Sequence, residues 1–168
     1  TPNHGPNLED FPPYVVVKPD LGGRGADVKI KRKGRVRWSP PKTQQPSNTT
    51  NWVAQEFVYT GQWPTSYRVG VFFGEALYAW RVKADPSRRP LSDPKSNSKA
   101  FKGGEGGGGM SIVSSGRGST FELIDNPEII SLAERASSAF PKIPLLGVDI
   151  LEEKPSGRLI AIEVNAVG

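Results

Sequence analysis

The sequence contains no cysteine among its 168 residues, and this absence removes several classes of function. Without a thiol the chain cannot form a disulfide, bind zinc through thiolates or use a cysteine nucleophile. Histidine is almost as scarce, since His4 is the only one and lies in a polar N-terminal stretch. We therefore expect neither a histidine-centred catalytic triad nor a histidine-rich metal site.

Long apolar runs are also missing. No segment approaches the ~20 apolar residues that a membrane-spanning helix needs, and no signal peptide is recognisable. We expect a cytoplasmic protein without a membrane partner. The net charge of +5 favours an anionic partner such as nucleic acid, a nucleotide phosphate or an acidic peptide.

Short apolar segments separated by glycine and proline predict a strand-rich fold with one clear helix. The helix is predicted over Asn126–Phe140, with Asn126 as its N-cap and Pro127 in its first turn. Antiparallel strands with one packed helix indicate the α+β class. Strands are predicted at Tyr14–Lys18, Asp27–Lys33, Arg35–Trp38 and Trp52–Tyr59, in a Tyr67–Lys83 hairpin that turns at Gly74–Glu75, and at Leu146–Leu151 and Arg158–Val164.

The two closing strands carry three oxygen-bearing side chains: Asp149 in the first, and Glu163 and Asn165 in the second. Alternate residues of a strand share a face, so Glu163 and Asn165 can point the same way, and Asp149 joins them if the strands pair antiparallel. Such a set suits Mg²⁺. The alternative is a solvated hairpin face with ordinary surface acids, although an unpaired carboxylate among valines and isoleucines is costly.

Lys18 closes an apolar strand immediately before a glycine-rich loop that contains Gly22, Gly23, Arg24 and Gly25. Backbone N–H groups of such a loop can cradle phosphate oxygens while the lysine supplies charge. The spacing matches neither a Walker A motif nor a Rossmann motif. Taken alone, the glycine segment is more typical of a simple hairpin turn.

Other segments also have two interpretations each. Gln55, Glu56, Phe57 and Val58 form either a backbone edge for a flat heterocycle or a plain strand end. Strand arginines such as Arg68 and Arg81 suit phosphate or carboxylate, or simply reach solvent at a sheet edge.

Two segments have a strongly biased composition, one rich in glycine and the other in lysine and arginine. Phe101–Gly109, within the apolar-poor residues 84–119, fits a disordered linker better than an anion-binding lid. The basic run Lys29–Arg37 is read first as a solvated strand face. A nucleic-acid partner is disfavoured there because the aromatic residues of a stacking platform are largely missing.

The order of these motifs resembles the ATP-grasp superfamily and, within it, the ribosomal-protein glutamate ligase branch. The resemblance runs from Tyr14 to Gly168. It implies an α+β ATP-grasp fold in which two lobes of mainly antiparallel sheet clasp ATP. We expect a lead-in over residues 1–13, a small lobe over 14–60 and a large lobe over 61–168, with the family's usual preceding domain outside this sequence.

The resemblance also implies roles for residues at matching positions. Lys18 would contact the phosphates of ATP, and the loop with Gly22, Gly23, Arg24 and Gly25 would close over them. Arg68 and Arg81 would face the phosphates or an acyl-phosphate intermediate. Adenine would bind a hinge formed by Gln55, Glu56, Phe57 and Val58. Asp149, Glu163 and Asn165 would hold Mg²⁺, with Mn²⁺ as an alternative ion.

The implied activity is that of an ATP- and Mg²⁺-dependent carboxylate–amine ligase. Its partners would be ATP, a carboxylate substrate and an amine acceptor, which is a small molecule, a peptide or a protein tail; self-association stays open. Two alternatives remain. One is a non-enzymatic basic module that binds nucleic acid or another anion, and the other is an ATP-binding pseudoenzyme.

Overall fold

Two antiparallel sheets and one helix make up the part of the chain that this computed structural model describes, namely residues 7–20, 28–36, 52–87, 91, 118–154 and 156–166. The predicted α+β class is confirmed. The strands are β1 (Tyr14–Pro19), β2 (Lys29–Arg32), β3 (Trp52–Glu56), β4 (Thr65–Phe72), β5 (Glu75–Lys83), β6 (Thr120–Leu123), β7 (Leu145–Glu152) and β8 (Leu159–Ala166), and the helix is α1 (Pro127–Ser137).

The first sheet, which we term the small sheet, has the order β2-β1-β3. Val15 and Val17 of β1 are 0% and 6% exposed, and Leu8, Phe11 and Trp52 pack against their cluster. This packing follows from strand geometry, since successive side chains point to opposite faces and Val15 and Val17 therefore share the buried face.

The strand predicted at Arg35–Trp38 is not found in the described residues. Lys33–Arg35 instead form a turn of 3₁₀ helix, and Val36 lies outside any strand. Lys33 Nζ donates to the carbonyl oxygens of Glu9 and Phe11 at 2.9 and 2.8 Å, which fixes this turn against the lead-in segment. Arg37 and Trp38 lie outside the described residues.

The second sheet, which we term the large sheet, has the order β6-β5-β4-β7-β8. The hairpin between β4 and β5 turns at Phe73 and Gly74, whose φ values of 48° and 90° are both left-handed. Two successive positive φ values are typical of the tight turn that matches the twist of a two-stranded hairpin. The edge strand β6 was not predicted, because all four of its residues are exposed and the segment has no buried face.

Helix α1 covers one face of the large sheet. Its buried residues Ile129 and Ala133 pack on Val69, Val148 and Ile150, which are 0% exposed. The helix ends at Ser137, three residues before the predicted end, and Pro141 follows the short turn that closes it. A residue that precedes proline is disfavoured in helical conformation, so the chain cannot extend the helix through Phe140.

Asn126 caps α1, as predicted: its Oδ1 accepts from the backbone N–H groups of Glu128 and Ile129 at 3.0 and 3.2 Å. Replacing Asn126 with alanine should therefore lower the free energy of unfolding by about 1 kcal/mol, because two N–H groups lose their acceptor. Urea unfolding measures this change. Asn126→Asp keeps the acceptor and serves as the control; equal losses in both variants would contradict the capping role.

The opposite face of the large sheet carries no helix among the described residues and turns toward the small sheet. Among the same residues, none of the helices combines the length and apolar character required to cross a bilayer. The sequence-predicted polar residues of the closing strands lie on this open face.

Candidate functional site

A row of charged side chains crosses the open face of the large sheet. Arg68 on β4 lies directly opposite Asp149 on β7, and Asp149 lies directly opposite Glu163 on β8. Residues opposite each other in an antiparallel ladder share a face, with Cβ atoms about 5 Å apart. Asn165, two positions after Glu163, projects from the same face. The predicted convergence of Asp149, Glu163 and Asn165 is therefore present.

Arg68 and Asn165 both bind Asp149. Arg68 Nη1 donates to the two carboxylate oxygens of Asp149 at 3.2 Å each, and Asn165 Nδ2 donates to Oδ2 at 3.2 Å. The guanidinium fits because Gly147 has no side chain: a Cβ built there would lie 2.6 Å from Arg68 Nη2. The absence of a side chain at Gly147 thus leaves the space in which the Arg68 guanidinium contacts Asp149.

Lys18 enters the same region from the small sheet. It lies near the end of β1, and its Nζ donates to Glu163 Oε2 at 3.0 Å, so this ion pair joins the two sheets. We refer to Lys18, Arg68, Asp149, Glu163 and Asn165 as the charged cluster. Among the described residues, its two positive and two negative charges cancel.

Burial raises the pKa of Asp149 above its ordinary value. The positive charges of Arg68 and Lys18 act in the opposite direction, whereas the carboxylate of Glu163 adds to the increase. Its side chain is 24% exposed, so solvent reaches it only in part. Any further positive charge that approaches the cluster therefore stabilises the ionised form of the Asp149 carboxyl group.

The donor atoms of the cluster fit a hard divalent cation. Asp149, Glu163 and Asn165 carry side-chain oxygens on one face, and oxygen is the type of donor that Mg²⁺ prefers. No group of three His, Cys, Asp or Glu side chains converges within the described residues. A cation here would therefore depend on two carboxylates, one amide and oxygens from elsewhere, as Mg²⁺ commonly does when phosphates supply part of its shell.

A cavity of about 390 Å³ lies next to Lys18, between the two sheets. This volume falls within the range of about 300–1,000 Å³ of small-molecule pockets. Its walls are mainly apolar on the β8 side, where the register shift beyond Asp149 adds Ile162 to the strand. The lining consists of Lys18, residues 53–56, Val58 and residues 160–162.

The segment predicted as a hinge lies along this cavity. Gln55, Glu56 and Val58 line it, whereas Phe57 does not. Glu56 is tied to the large sheet, since it accepts from Arg158 Nη2 at 3.2 Å. The Gln55–Val58 segment therefore joins the sheets at one end of the cavity, and Lys18 with Glu163 joins them at the other.

Arg81 is not brought to the charged cluster. It lies opposite Tyr67, whose side chain belongs to the helix-covered core, so Arg81 projects from the other face of the sheet than Arg68. There it forms an ion pair with Glu122 of β6. The loop residues Gly22, Gly23, Arg24 and Gly25 and the segment Phe101–Gly109 lie outside the described residues.

Several basic residues of the Lys29–Arg37 run are used inside the fold. The ammonium of Lys29 lies 5.7 Å from the centre of the Trp52 ring, and the guanidinium of Arg32 lies 5.7 Å from that of Tyr14. Both distances are typical of cation–π contacts. The expected solvated strand face is therefore only partly present: Lys29 and Lys31 share a face of β2, opposite the buried Val17 and Val15, whereas Lys33 belongs to the 3₁₀ turn.

The sequence interpretation missed three contributors to the site: Gly147, Arg158 and Ile162. A glycine inside an apolar strand signals a close approach by another group, and this signal at Gly147 was available. The bulge at Ile162 and the Arg158–Glu56 ion pair have no comparable signal, because both depend on the pairing of distant segments.

No protein-family model matches the sequence, and no curated protein matches it. Solved structures with a similar fold do exist. The ATP-grasp ligase PsnB, complexed with a phosphomimetic variant of its minimal precursor, Mg and ADP, is similar over 91% of this chain and 38% of its own, with a TM-score of 0.51 and 16% identity.

D-cycloserine synthetase DcsG is similar over 92% of this chain and 48% of its own, with a TM-score of 0.55 and 15% identity. The chain thus spans less than half the length of either protein. At this identity the likeness concerns the fold, and it extends over almost all of the chain. The chain has a fold similar to the matched parts of these two ATP-grasp ligases.

Proposed function

We propose that this chain is the ATP-binding part of an ATP-grasp ligase, which uses ATP to join a carboxylate to an amine. The observation that carries the proposal is the charged cluster at the end of the apolar cavity. An apolar cleft suits adenine, and the cations Lys18 and Arg68 suit phosphates. Arg81 has no part in the proposed site, because its side chain lies on the opposite face of the sheet.

The edge of the small sheet supports a role in adenine binding. β3 is an edge strand, and no strand of the described residues pairs with its outer side. Alternate residues of β3 turn their backbone N–H and C=O groups to that side, and such groups are of the kind that recognise a flat heterocycle. In the proposed site, Val58 and Ile160 would sandwich the ring while the backbone binds its edge.

The proposed reaction consists of two displacements. A carboxylate oxygen of the substrate attacks the γ-phosphorus of ATP, the bond to the bridging oxygen breaks, and ADP leaves. The amine then attacks the carbonyl carbon of the acyl phosphate, loses a proton and forms the C–N bond as inorganic phosphate leaves. This chemistry needs charge neutralisation and positioning rather than a nucleophilic side chain, which agrees with a cluster built from lysine, arginine and acids.

Asp149, Glu163 and Asn165 would hold Mg²⁺, with Mn²⁺ as an alternative, and the ion would neutralise charge on the phosphates. The presence of Mg and ADP in the PsnB structure supports this pairing of ion and nucleotide. We further propose that residues 14–60 and 61–168 are the two lobes that hold the nucleotide between them.

Titration calorimetry with Mg²⁺ and the non-hydrolysable β,γ-imido analogue of ATP tests the proposal. We expect wild type to bind the analogue, and the double variant Asp149→Ala/Glu163→Ala to bind it at least about 100-fold more weakly, since two charged contacts of roughly 1.5–3 kcal/mol each are lost and 1.4 kcal/mol is tenfold.

The variant Glu122→Ala is the control, because it removes an acid from the opposite face. Equal magnesium-dependent affinity in wild type and the double variant would overturn the metal assignment. Acceptor-dependent release of ADP then separates a ligase from an ATP-binding pseudoenzyme.

A further inference from the structure

The two cations of the charged cluster are already occupied by acids of the same chain. Lys18 binds Glu163 at 3.0 Å, and Arg68 binds both carboxylate oxygens of Asp149 at 3.2 Å. A phosphate that approaches Lys18 must therefore displace a carboxylate, and it also meets the negative charges of Asp149 and Glu163. The acids that suit a cation are the same groups that compete with an anion.

We propose that Glu163 discriminates against metal-free nucleotide by competing with the phosphates for Lys18. The inference rests on the proposed function and adds a specificity role to it. When a divalent cation enters with the nucleotide, the carboxylates gain a new partner and Lys18 is released to the phosphates. Without the cation, a triphosphate that takes Lys18 leaves Glu163 as an unpaired negative charge beside it.

The geometry makes Glu163 the main competitor. The Glu163 side chain is 44% exposed and extends from the large sheet to the small one. Within the described residues, it contacts Lys18 through this single ion pair. Asp149 is more firmly held, by Arg68 on both oxygens and by Asn165. Exposed ion pairs are weak, so a nucleotide carrying its own cation can open the Lys18–Glu163 pair readily.

Selectivity of this kind is a coupling between two ligands. If the cation strengthens nucleotide binding by a given factor, the nucleotide strengthens cation binding by the same factor. Loss of the Glu163 charge should reduce the ratio of nucleotide affinity with the cation to nucleotide affinity without it. Metal-free nucleotide then binds more tightly, and cation-loaded nucleotide binds more weakly.

The test is calorimetry of the full chain with the β,γ-imido analogue of ATP, once with excess Mg²⁺ and once with EDTA. For Glu163→Gln we expect affinity for the metal-free analogue to rise up to about fivefold over wild type, since the phosphates no longer have to open an exposed ion pair that contributes up to about 1 kcal/mol. Affinity for the magnesium-loaded analogue should fall. A gain of function of this sign is not expected from a variant that merely loosens the fold.

Two control variants define the outcome. Glu122→Gln removes the same charge from the Arg81 ion pair on the opposite face and should leave metal-free binding at the wild-type level. In a Lys18→Met background, Glu163→Gln should lose most of its gain, because the lysine that it frees is gone. Thermal melting of every variant shows that each is folded.

The inference is overturned if Glu163→Gln binds the metal-free analogue no more tightly than wild type does, or if its gain persists in the Lys18→Met background. An equal gain in Glu122→Gln overturns it as well, because general charge would then explain the effect. Absence of any nucleotide binding by wild type, with or without Mg²⁺, instead overturns the proposed function itself.

Discussion

Replacement of Ile150 by alanine is expected to lower the free energy of unfolding by about 2–5 kcal/mol. Ile150 is 0% exposed, lies on β7 between β4 and β8, and belongs to the core cluster beneath α1. Its removal leaves a cavity that the surrounding strands cannot close, because they are fixed by ladders on both sides. Urea unfolding, followed by far-ultraviolet circular dichroism, measures the loss.

Leu77→Ala is the matched control for this variant. Leu77 also lies on a strand of the large sheet, but it is 61% exposed, so its truncation should change stability by no more than about 0.5 kcal/mol. A similar loss in both variants would show that the core does not lie where α1 meets the sheet.

Replacement of Gly147 by alanine is expected to weaken nucleotide binding without lowering the stability of the fold. The new Cβ would lie 2.6 Å from Arg68 Nη2, so the guanidinium must leave Asp149. The displaced atom is the end of a flexible side chain, and alanine suits a strand better than glycine by about 0.5–1 kcal/mol. We therefore expect an unchanged or slightly higher melting temperature, but about tenfold weaker binding of the magnesium-loaded ATP analogue, equivalent to about 1.4 kcal/mol.

An Arg68→Ala background provides the control for the Gly147 variant. With the guanidinium removed, the alanine at position 147 has nothing to displace, and the substitution should have no further effect on binding. If Gly147→Ala weakens binding equally in both backgrounds, the clash with Arg68 is not the cause. Normal binding by the single variant would also refute the expectation.

Most of the fold could be predicted because its elements have strong local signals. Tyr14–Pro19 has three consecutive valines, the β4–β5 hairpin has a glycine at its turn, and α1 has an asparagine cap followed by proline. The β6 strand lacks any such signal, since its residues form an exposed edge. Local composition predicted a strand from Arg35 onward, but Arg35 and Val36 lie in and after a 3₁₀ turn that the contacts of Lys33 with the lead-in segment hold in place.

The candidate site shows a similar division. Glu163 and Asn165 could be assigned to one face because they lie two residues apart on one strand. The relation of Arg68 to Arg81 could not, since it depends on the register of two strands: Tyr67 pairs with Arg81, and the two arginines consequently face opposite ways. The Lys18–Glu163 ion pair spans 145 positions of sequence and could not be predicted from either segment alone.

Some expectations stay predictions. The phosphate loop with Gly22, Gly23, Arg24 and Gly25 lies outside the described residues. The carboxylate and amine substrates, the lobe boundaries, self-association and the cytoplasmic location likewise remain to be tested. Labelled-nucleotide crosslinking would address the loop directly, because its backbone would lie against the phosphates.

Helix α1 covers only one face of the large sheet, and this arrangement affects which residues can be substituted during evolution. Residues that hold the fold together and residues that face the cleft alternate along the same strands: Val69 and Val148 serve the first purpose, Arg68 and Asp149 the second. Substitutions on the open face can therefore accumulate without removing apolar side chains from the core. The open face of such a sheet can change its chemical character while the residues packed beneath α1 stay the same.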